Sequence, residues 1–283
     1  MSVKRTVECF YPGDSFPAIS VTGTSCSLDC KHCSRKYLEG MVPARTPSDL
    51  LDVADALAER GAAGFLLSGG VDRTGKVRLG DFVPAISEIK STTDLRINAH
   101  VGLLDPGEAA SLVGSGIDSF SVDLYGSDDT VLEVLGLGAK ATDYFGVYTS
   151  LKDAGAPVLA PHICVGVHEG KLRGEFKAIE MLRSSQPRTL ILISLIPTKG
   201  TSYESVRAPS AEMVASVVRK ARQELPDTKL VLGCMRSKRD RSSEAELVEA
   251  GLDGIVLPAT STVEKLRAGG YSVRKRALCC SFI

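Results

Sequence analysis

The sequence predicts a single α/β barrel in which eight parallel strands are each followed by a helix. Three observations carry this prediction: the chain has 283 residues of which 43% are hydrophobic, it alternates short apolar runs with longer amphipathic runs, and no linker or low-complexity stretch divides it. Strands that alternate with helices over short connections lie parallel, and eight such units close naturally into a TIM-type (βα)8 barrel. We therefore expect one barrel over residues 1–269 and a C-terminal tail over residues 270–283 that crosses a barrel face.

Each predicted strand is a short apolar run bounded by turn residues, and the eight runs cover residues 18–22, 64–68, 95–99, 119–123, 158–163, 189–195, 229–233 and 254–257. Each predicted helix has apolar residues at helical spacing, and the eight helices cover residues 48–60, 82–90, 106–115, 142–154, 174–184, 210–224, 243–250 and 262–268. Capping residues with proline mark two helix starts, at Thr46-Pro47-Ser48 and Ala208-Pro209-Ser210. Because reactive groups of such barrels gather where the strands end, the residues directly after each strand are the first candidates for a site.

Charge and composition argue against several classes of function. Lys+Arg and Asp+Glu both number 34, so no global charge draws the protein to nucleic acid or to a membrane. Trp is absent and aromatic residues make up only 5%, which argues against a platform for stacking bases. The longest apolar run, 190–196, is too short to span a bilayer, and the first residues show no secretory signal. We expect a cytoplasmic protein whose eight cysteines are reduced and serve more naturally as metal ligands than as disulfides.

The most specific pattern is a run of three cysteines directly after the first predicted strand, Cys26-Ser27-Leu28-Asp29-Cys30-Lys31-His32-Cys33. Three thiolates at these spacings can hold three irons of a [4Fe–4S] cluster and leave the fourth iron without a protein ligand. An open iron can bind a small molecule, so the pattern indicates catalysis rather than simple electron transfer. A zinc site is the alternative, but zinc usually takes four ligands, often as two separated pairs, and no second pair lies nearby.

This spacing resembles that of the radical S-adenosylmethionine (SAM) superfamily, and the chain as a whole resembles its biotin synthase and lipoyl synthase branch. The resemblance implies that Cys26, Cys30 and Cys33 are the catalytic metal ligands and that the open iron chelates SAM. The reduced cluster would then cleave SAM to a 5′-deoxyadenosyl radical, which abstracts hydrogen from the substrate. In such an enzyme the protein orients the reactants and the cofactor carries the hard chemistry.

Two further segments resemble parts of this branch that hold SAM. Ser68-Gly69-Gly70, after the second predicted strand, resembles the glycine-rich motif whose carbonyls approach the methionine amino group, although Val71 stands where an acidic residue usually follows. An ordinary turn is the alternative for this loop. Residues 196–201 resemble the sixth-strand segment that contacts the adenosine part, which implies SAM contacts at Lys199, Gly200 and Thr201.

Three single residues complete the expected cofactor site. Asp123 ends the fourth predicted strand, where the branch has polar contacts to the ribose or the substrate. His162 lies on the fifth predicted strand, where a packing role is the alternative to a cofactor contact. His32, inside the cysteine run, is expected to pack against adenine rather than to bind metal.

Five cysteines lie outside the run: Cys9, Cys164, Cys234, Cys279 and Cys280. The adjacent pair Cys279-Cys280 stands near the C-terminus, where tails are usually exposed, and an exposed thiol pair is an oxidation liability unless metallated. We therefore predict a second Fe–S cluster built from Cys9, Cys234, Cys279 and Cys280. A redox-active or persulfide-carrying pair is the alternative, and Cys164 is equally well read as a plain core thiol.

Within the branch, the chain departs from biotin synthase itself. The second-cluster ligands of that enzyme align with Leu66, His100, Ala160 and Val231, which cannot reproduce its site. The overall resemblance is closer to the archaeal-type two-component lipoyl synthases, in which two radical SAM proteins share the sulfur insertions. Residues 161–166, residues 233–236 and the Cys-Cys-Ser tail carry that resemblance.

The resemblance implies a sulfurtransferase that acts on an octanoylated lipoyl carrier domain, with a homologous radical SAM partner protein and a reductant such as ferredoxin or flavodoxin. A radical SAM mutase or C–C bond-forming enzyme with a single cluster is the rival hypothesis. A non-enzymatic Fe–S or zinc scaffold is the rival from another class. Nucleic acid and membrane are not expected as partners.

Overall fold

The computed structural model describes residues 5–238 and 241–283, which form one sheet of eleven parallel strands. The strands are β1 (Thr6–Phe10), β2 (Ala18–Ser20), β3 (Val42–Pro43), β4 (Gly64–Ser68), β5 (Arg96–Val101), β6 (Ser119–Asp123), β7 (Leu159–Val165), β8 (Thr189–Ser194), β9 (Lys229–Leu232), β10 (Gly254–Val256) and β11 (Ser272–Arg276). Their order in the sheet is β11-β1-β10-β9-β8-β7-β6-β5-β4-β2-β3. The predicted α/β class with a single parallel sheet is confirmed.

The helices are α1 (Pro47–Glu59), α2 (Val83–Thr92), α3 (Pro106–Gly114), α4 (Asp128–Thr130), α5 (Ala141–Asp153), α6 (Glu175–Leu182), α7 (Ala211–Glu224), α8 (Glu244–Ala250) and α9 (Thr260–Ala268). The predicted caps are present: the Thr46 hydroxyl accepts from the Asp49 amide at 3.1 Å, and the Ser210 hydroxyl accepts from the Met213 amide at 3.2 Å. Helix α4 runs directly into a π-helical turn, Val131–Leu135. No helix in the described part of the chain is long and apolar enough to cross a membrane.

The sheet is a curled half-barrel and has more strands than predicted. The eight predicted strands appear as β2 and β4 to β10, and β1, β3 and β11 are additional. In residues 5–238 and 241–283 no ladder joins β3 to β11, because β1 takes the free edge of β10 and β11 then pairs with β1. The sequence Ser272–Arg276 did not predict a strand because its three basic residues do not resemble a buried parallel strand, although charge is common on edge strands.

The C-terminal tail packs against the inner side of the sheet. After β11, a short 3-10 turn at Cys280–Phe282 contacts β6, β8 and β10. These three strands are not neighbours in the sheet, so the sheet curls around the turn. The tail is held there by an apolar cluster in which Cys280 packs with Phe10, Ala160, Ile191, Val231 and Val256.

Side-chain alternation separates an outer and an inner face of the sheet. The outer face packs against the helices in the main apolar core, which includes Phe65, Ile97 and Leu190. The inner face of the neighbouring strands β5, β6 and β7 is polar near the strand ends, and it carries the side chains described next.

Candidate active site

The cysteine run forms a loop after β2 that is fastened to two other segments. The Ser27 amide donates to the Val71 carbonyl at 2.8 Å, and the Lys31 amide donates to the Val134 carbonyl at 2.9 Å. The Cys30 thiol lies 3.6 Å from the Leu135 carbonyl. The loop is therefore clamped between the glycine-rich loop after β4 and the π-helical turn after α4.

The three thiols of the loop line a single cavity of about 250 Å³. Cys30 is buried, and Cys26 and Cys33 are half-buried. The hydrogen bond from Cys30 and the adjacent His32 lower the pKa of Cys33 to about 4, against the opposing effect of burial. That same hydrogen bond, burial and the charge of Cys33 raise the pKa of Cys30. One thiol of the loop is thus ready to act as an anionic metal ligand.

The arrangement of the three thiols fits a cluster. Among the described residues, no group of three or more Cys, His, Asp or Glu is arranged to hold a single metal ion. Cys26, Cys30 and Cys33 instead stand around one space, as they would if each bound a different iron. His32 also lines the cavity, and its buried Nδ1 has no hydrogen-bond partner in the protein.

The glycine-rich loop approaches the cysteine loop so closely that a side chain would not fit. A Cβ on Gly70 would lie 2.0 Å from the Ser25 carbonyl oxygen and 2.6 Å from the Cβ of Cys26. The Gly70 amide donates to the Thr22 hydroxyl at 2.7 Å, and both Gly69 and Gly70 line the cavity. The prediction of a functional glycine loop therefore has a geometric basis: glycine lets backbone form this wall.

Asp72, which follows this loop, has a local structural role. Its carboxylate accepts hydrogen bonds from the Thr74 amide at 2.8 Å and from the Lys76 amide at 3.1 Å. The Thr74 hydroxyl and these amides lower the pKa of Asp72. Asp72 therefore stabilises a turn beside the cavity.

Polar side chains at the ends of β5, β6 and β7 form the next part of the site. Nε2 of His100 lies 3.3 Å from Oδ1 of Asp123, without the alignment of a hydrogen bond, and both residues line the cavity. Burial acts to lower the pKa of His100, but the Asp123 carboxylate outweighs it and raises that pKa. In turn, His100 outweighs burial at Asp123 and keeps the pKa of this carboxyl below its usual value.

His162 lies behind this pair rather than on the cavity surface. Its ring stacks on that of His100, with centroids 5.2 Å apart and planes at 28°. Its Nδ1 lies 2.8 Å from the Ala160 carbonyl. Burial and the neighbouring His100 lower the pKa of His162 to about 4, so this ring is neutral at pH 7. His162 packs against His100, and its predicted contact with the cofactor stays a prediction.

Lys199, Gly200 and Thr201 do not line this cavity, and their contact with SAM stays a prediction. Their segment folds into a turn in which the Thr201 amide donates to the Thr198 carbonyl at 3.2 Å. The Thr198 hydroxyl lies 3.0 Å from the hydroxyl of Tyr37, which follows the cysteine loop and does line the cavity. The segment supports the cysteine loop from outside.

Sequence reasoning missed two tyrosines in the cavity wall. Tyr125 and Tyr144 pack edge to face, with ring centroids 4.8 Å apart, and both line the cavity. Burial raises the pKa of both phenols, so they are neutral at pH 7. Tyr125 could have been found from its place two residues after Asp123 at a strand end, whereas Tyr144 comes from helix α5 and carried no signal.

Cys279 and Cys280 lie on the inner side of the half-barrel, and Cys234 lies near enough to affect the pKa of Cys280. Burial by the surrounding protein and then the nearby Cys279 raise the pKa of Cys234, although part of this residue is exposed to solvent. The hydrogen bond to Cys279, burial and the charges of Cys279 and Cys234 raise the pKa of Cys280. Hydrogen bonds from Cys280, Ser281 and Asn98 lower the pKa of Cys279 to about 6, against the effect of burial.

The predicted ligand Cys9 does not join these thiols. Phe10 packs with Cys280 on the inner face, so the preceding residue of β1 points to the outer face, toward the helices. Burial and then Glu8 raise the pKa of Cys9 to about 11, and no thiol contributes to that shift. The expected four-cysteine set is therefore corrected to Cys234, Cys279 and Cys280. Cys280 is also buried, in contrast to the exposed tail that its position near the C-terminus suggested.

Cys164 lies apart from that set. It faces inward near the end of β7 and packs in the apolar cluster that contains Cys30 and Leu195. Burial and then Asp123 raise the pKa of Cys164 above its usual value. A neutral, packed thiol agrees with the alternative of a plain core residue.

Solved structures with the same fold include a hydrogenase maturase and a methylornithine synthase. The crystal structure of HydG, a maturase of the [FeFe]-hydrogenase, has a TM-score of 0.68 at 18% identity and covers 98% of this chain. This chain spans 66% of that HydG chain, slightly less than two thirds. Methylornithine synthase (PylB) has a TM-score of 0.59 at 15% identity, over 96% of this chain and 83% of that chain. At these identities the likeness concerns the fold alone.

Sequence comparison is more specific. Biotin synthase of Wolinella succinogenes is 24% identical over 246 residues, which cover 84% of this chain and 86% of that protein. The family model of the Radical SAM superfamily matches residues 20–171, more than half of the chain. The matched segment begins within β2 and ends beyond β7. It contains the three loop cysteines, the two glycines and Asp123, which line one cavity. The chain therefore belongs to the radical SAM superfamily.

Proposed function

We propose that this protein is a radical SAM sulfurtransferase that inserts sulfur at an unactivated C–H bond of an octanoyl chain carried by a lipoyl domain. The observation that carries the proposal is the place of the tail: the Cys279 sulfur lies 3.5 Å from Nδ2 of Asn98, and Cys280 packs inside the half-barrel. Cys234 lies near enough to raise the pKa of Cys280. Hydrogen abstraction needs only the first set of thiols. A sulfur-inserting enzyme also needs a source of sulfur close to the substrate radical, and the second set provides a place for one.

Membership in the superfamily implies a [4Fe–4S] cluster and SAM, and the residues around the cavity fit them. Three thiols share one cavity, and Gly70 leaves no room for a side chain beside Cys26. The unpartnered Nδ1 of His32 is buried at the same cavity and offers a ligand a polar contact. When bound, the first cluster with SAM supplies a 5′-deoxyadenosyl radical, and in this proposal a second cluster supplies sulfide.

The protein's own residues orient and shield the reacting groups. Asp123 stays ionised beside His100, so it can accept hydrogen bonds from hydroxyl groups of a ligand in the cavity. Tyr125 and Tyr144 close part of the wall with apolar ring surface. Such a wall excludes water and stray hydrogen donors from a reactive radical.

The second set of thiols lies one inward-facing position deeper than the cavity. On β5, His100 lines the cavity, and Asn98, two residues earlier on the same face, contacts the Cys279 sulfur at 3.5 Å. Two residues of a strand span roughly 6–7 Å. In this proposal the substrate lies between the cavity and the second set of thiols.

The resemblance to biotin synthase supports the same place for a second cluster. It implies that Ala160 and Val231 stand where that enzyme has ligands of its second cluster, and both pack against Cys280 here. Where biotin synthase places ligands on its strands, this chain brings thiols to the interior on its tail. The proposal keeps a homologous radical SAM protein as the partner and an electron carrier such as ferredoxin or flavodoxin as the reductant.

A second candidate function is a radical SAM mutase or C–C bond-forming enzyme with a single cluster. It is favoured by the outward direction of Cys9, which leaves three interior thiols rather than four. A three-thiol site needs a further ligand, from a small molecule or from the partner, before it can hold a complete cluster.

Iron and sulfide content after anaerobic reconstitution separates the two enzymes. We expect about eight irons per chain for two [4Fe–4S] clusters, whereas about four irons would favour the single-cluster enzyme. The same measurement on the Cys279→Ala/Cys280→Ala variant is expected to give about four irons, with Cys9→Ala as the matched control that keeps about eight. Mössbauer spectra of the three proteins identify the type of each cluster.

A non-enzymatic scaffold is tested by SAM cleavage. The reconstituted protein, incubated with SAM and dithionite, is expected to form 5′-deoxyadenosine, and an octanoylated lipoyl domain is expected to gain the mass of sulfur. Absence of 5′-deoxyadenosine under all substrate conditions would support the scaffold, and its formation without any sulfur gain would count against sulfur insertion.

A further inference from the structure

Asn98 is the single asparagine in the 283 residues of this chain, and it is almost completely buried inside the half-barrel. It lies in the middle of β5 with its side chain on the inner face. A buried amide must have its hydrogen-bonding groups satisfied, so its partners show what the residue does.

Two side chains contact the Asn98 amide. Ser121 on the adjacent strand β6 lies 3.0 Å from Nδ2 and 3.1 Å from Oδ1 of Asn98. The Cys279 sulfur lies 3.5 Å from Nδ2. The Ser121 hydroxyl can donate to Oδ1 and so fix the amide plane, which leaves an N–H directed at the sulfur.

The chemistry of sulfur selects this orientation of the amide. A thiolate or a metal-bound cysteine sulfur accepts hydrogen bonds, whereas an amide oxygen has only lone pairs to present. The opposite orientation would place Oδ1 against the Cys279 sulfur, so that two acceptors would face each other.

The contact belongs to a column of three inward-facing residues on β5. At the N-terminal end of the strand, the Arg96 guanidinium lies 5.5 Å from the centre of the Phe282 ring. Asn98 contacts Cys279, and His100 faces Asp123 at the cavity. One strand thus connects the docked tail to the cavity of the cysteine loop, with Asn98 at the level of the second set of thiols.

We propose that Asn98 is a positioning residue for the second sulfur site: its amide N–H donates to the Cys279 sulfur, fixes the direction of that sulfur toward the cavity, and stabilises negative charge on it. The role rests on the proposed function for what Cys279 carries, but the hydrogen bond itself does not. Hydrogen bonds to ligand sulfurs stabilise the more negative, reduced form of an Fe–S cluster and so raise its reduction potential. Asn98 is therefore expected to make a cluster at this site easier to reduce.

The hydrogen bond is tested by NMR on the full chain without iron. Because the chain has one asparagine, protein labelled with ¹⁵N-asparagine gives a single side-chain amide pair. We expect one proton of this pair to move upfield in Cys279→Ala at constant pH, because it loses an acceptor. The matched control is Cys234→Ala, which removes another interior thiol and should leave the signal in place. Asn98 itself is kept, so a folding defect at a buried position does not obscure the result.

The electronic role is tested on a protein that retains only the second site. In the Cys26→Ala/Cys30→Ala/Cys33→Ala background, the remaining cluster is titrated with reductant and followed by EPR. Asn98→Leu is expected to lower the ratio of reduced to oxidised cluster by about tenfold at the midpoint potential of the parent protein, which is about 59 mV for a one-electron couple. Ser119→Ala, which removes a buried hydroxyl from the same face of β6, is the control and should leave the midpoint unchanged.

The outcomes separate this inference from the proposed function. An amide signal that stays in place in Cys279→Ala, or a midpoint that is the same in Asn98→Leu as in the parent, overturns the role of Asn98. If the Cys26→Ala/Cys30→Ala/Cys33→Ala protein binds no iron, the second cluster is overturned. In that case an amide signal that moves still supports Asn98 as the residue that holds the Cys279 sulfur.

Discussion

The cysteine loop and the C-terminal tail both bring thiols to the inside of the half-barrel, but they do so by different means. Cys26, Cys30 and Cys33 lie on one short loop after β2, so their proximity follows from the spacing of the chain. Cys279 and Cys280 meet Cys234 only because helices α8 and α9 and strands β10 and β11 return the tail to the interior. A local motif can be read from sequence with confidence in its geometry, whereas a site assembled from distant segments depends on how the whole sheet curls.

The largest expected effect is the loss of SAM cleavage when the cysteine loop, rather than the tail, loses its thiols. Changing Cys26, Cys30 and Cys33 to Ala should reduce 5′-deoxyadenosine formation to the protein-free background, because no open iron remains to bind SAM. The fold should be retained, since the loop lies at the rim of the sheet, and circular dichroism checks this. Substantial SAM cleavage in this variant would break the assignment of the loop.

The tail variant tests the other half of the comparison. Cys279→Ala/Cys280→Ala should abolish sulfur insertion and keep 5′-deoxyadenosine formation within about twofold of wild type, because the two sets of thiols have separate tasks. Mass spectrometry of the octanoylated domain and chromatography of deoxyadenosine measure the two activities. Full sulfur insertion by this variant would contradict a role for the tail.

Gly70→Ala tests whether the close approach of the glycine-rich loop to the cysteine loop matters for SAM cleavage. A Cβ at this position would lie 2.0 Å from the Ser25 carbonyl oxygen, so the cysteine loop must shift. We expect a roughly tenfold to hundredfold loss of SAM cleavage, since a displacement of about 1 Å at a reacting centre can cost that much. Gly80→Ala is the control, because a Cβ there meets nothing within 4 Å. Equal activity of the two variants would show that the close approach does not matter.

The smallest effect on iron content is expected for Cys9, whose thiol faces the outer side of the sheet. Cys9→Ala should leave the iron content at about eight per chain, because its side chain lies on the opposite face of the sheet from the tail. Loss of a buried sulfur should cost about 1 kcal/mol and lower Tm by roughly 2–4 °C. Calorimetry and iron analysis check both values, and a fall to about four irons would return Cys9 to the ligand set.

Much of the loop side of the site could be predicted from sequence. The cysteine spacing, Gly69-Gly70 and the strand-end position of Asp123 each indicated a cavity wall, and all of them line the same cavity. The eight predicted strands are present for the same reason, because apolar runs and turn residues are local properties of the chain. The π-helical turn that holds Lys31 was missed, since nothing in its apolar sequence distinguishes it from an α-helix.

The tail side could be predicted only in part. The sequence pointed to Cys234, Cys279 and Cys280 as cysteines outside the loop. It also suggested Cys9, but side-chain alternation on β1 places Cys9 on the outer face of the sheet. It suggested SAM contacts at Lys199 to Thr201, which stay a prediction; Thr198, just before them, contacts Tyr37. The direction of Cys9 could not be seen without knowing which face of its strand meets the interior.

The amino-acid sequence by itself determined the parallel α/β architecture and the three-thiol loop, because strand periodicity and cysteine spacing act over a few residues. Only the tertiary structure decided that the sheet stays open, that the tail docks inside it and that the single asparagine meets Cys279. Those outcomes depend on packing between segments far apart in the chain, where the burial of Cys280 and its apolar neighbours offsets the entropy lost in ordering the tail.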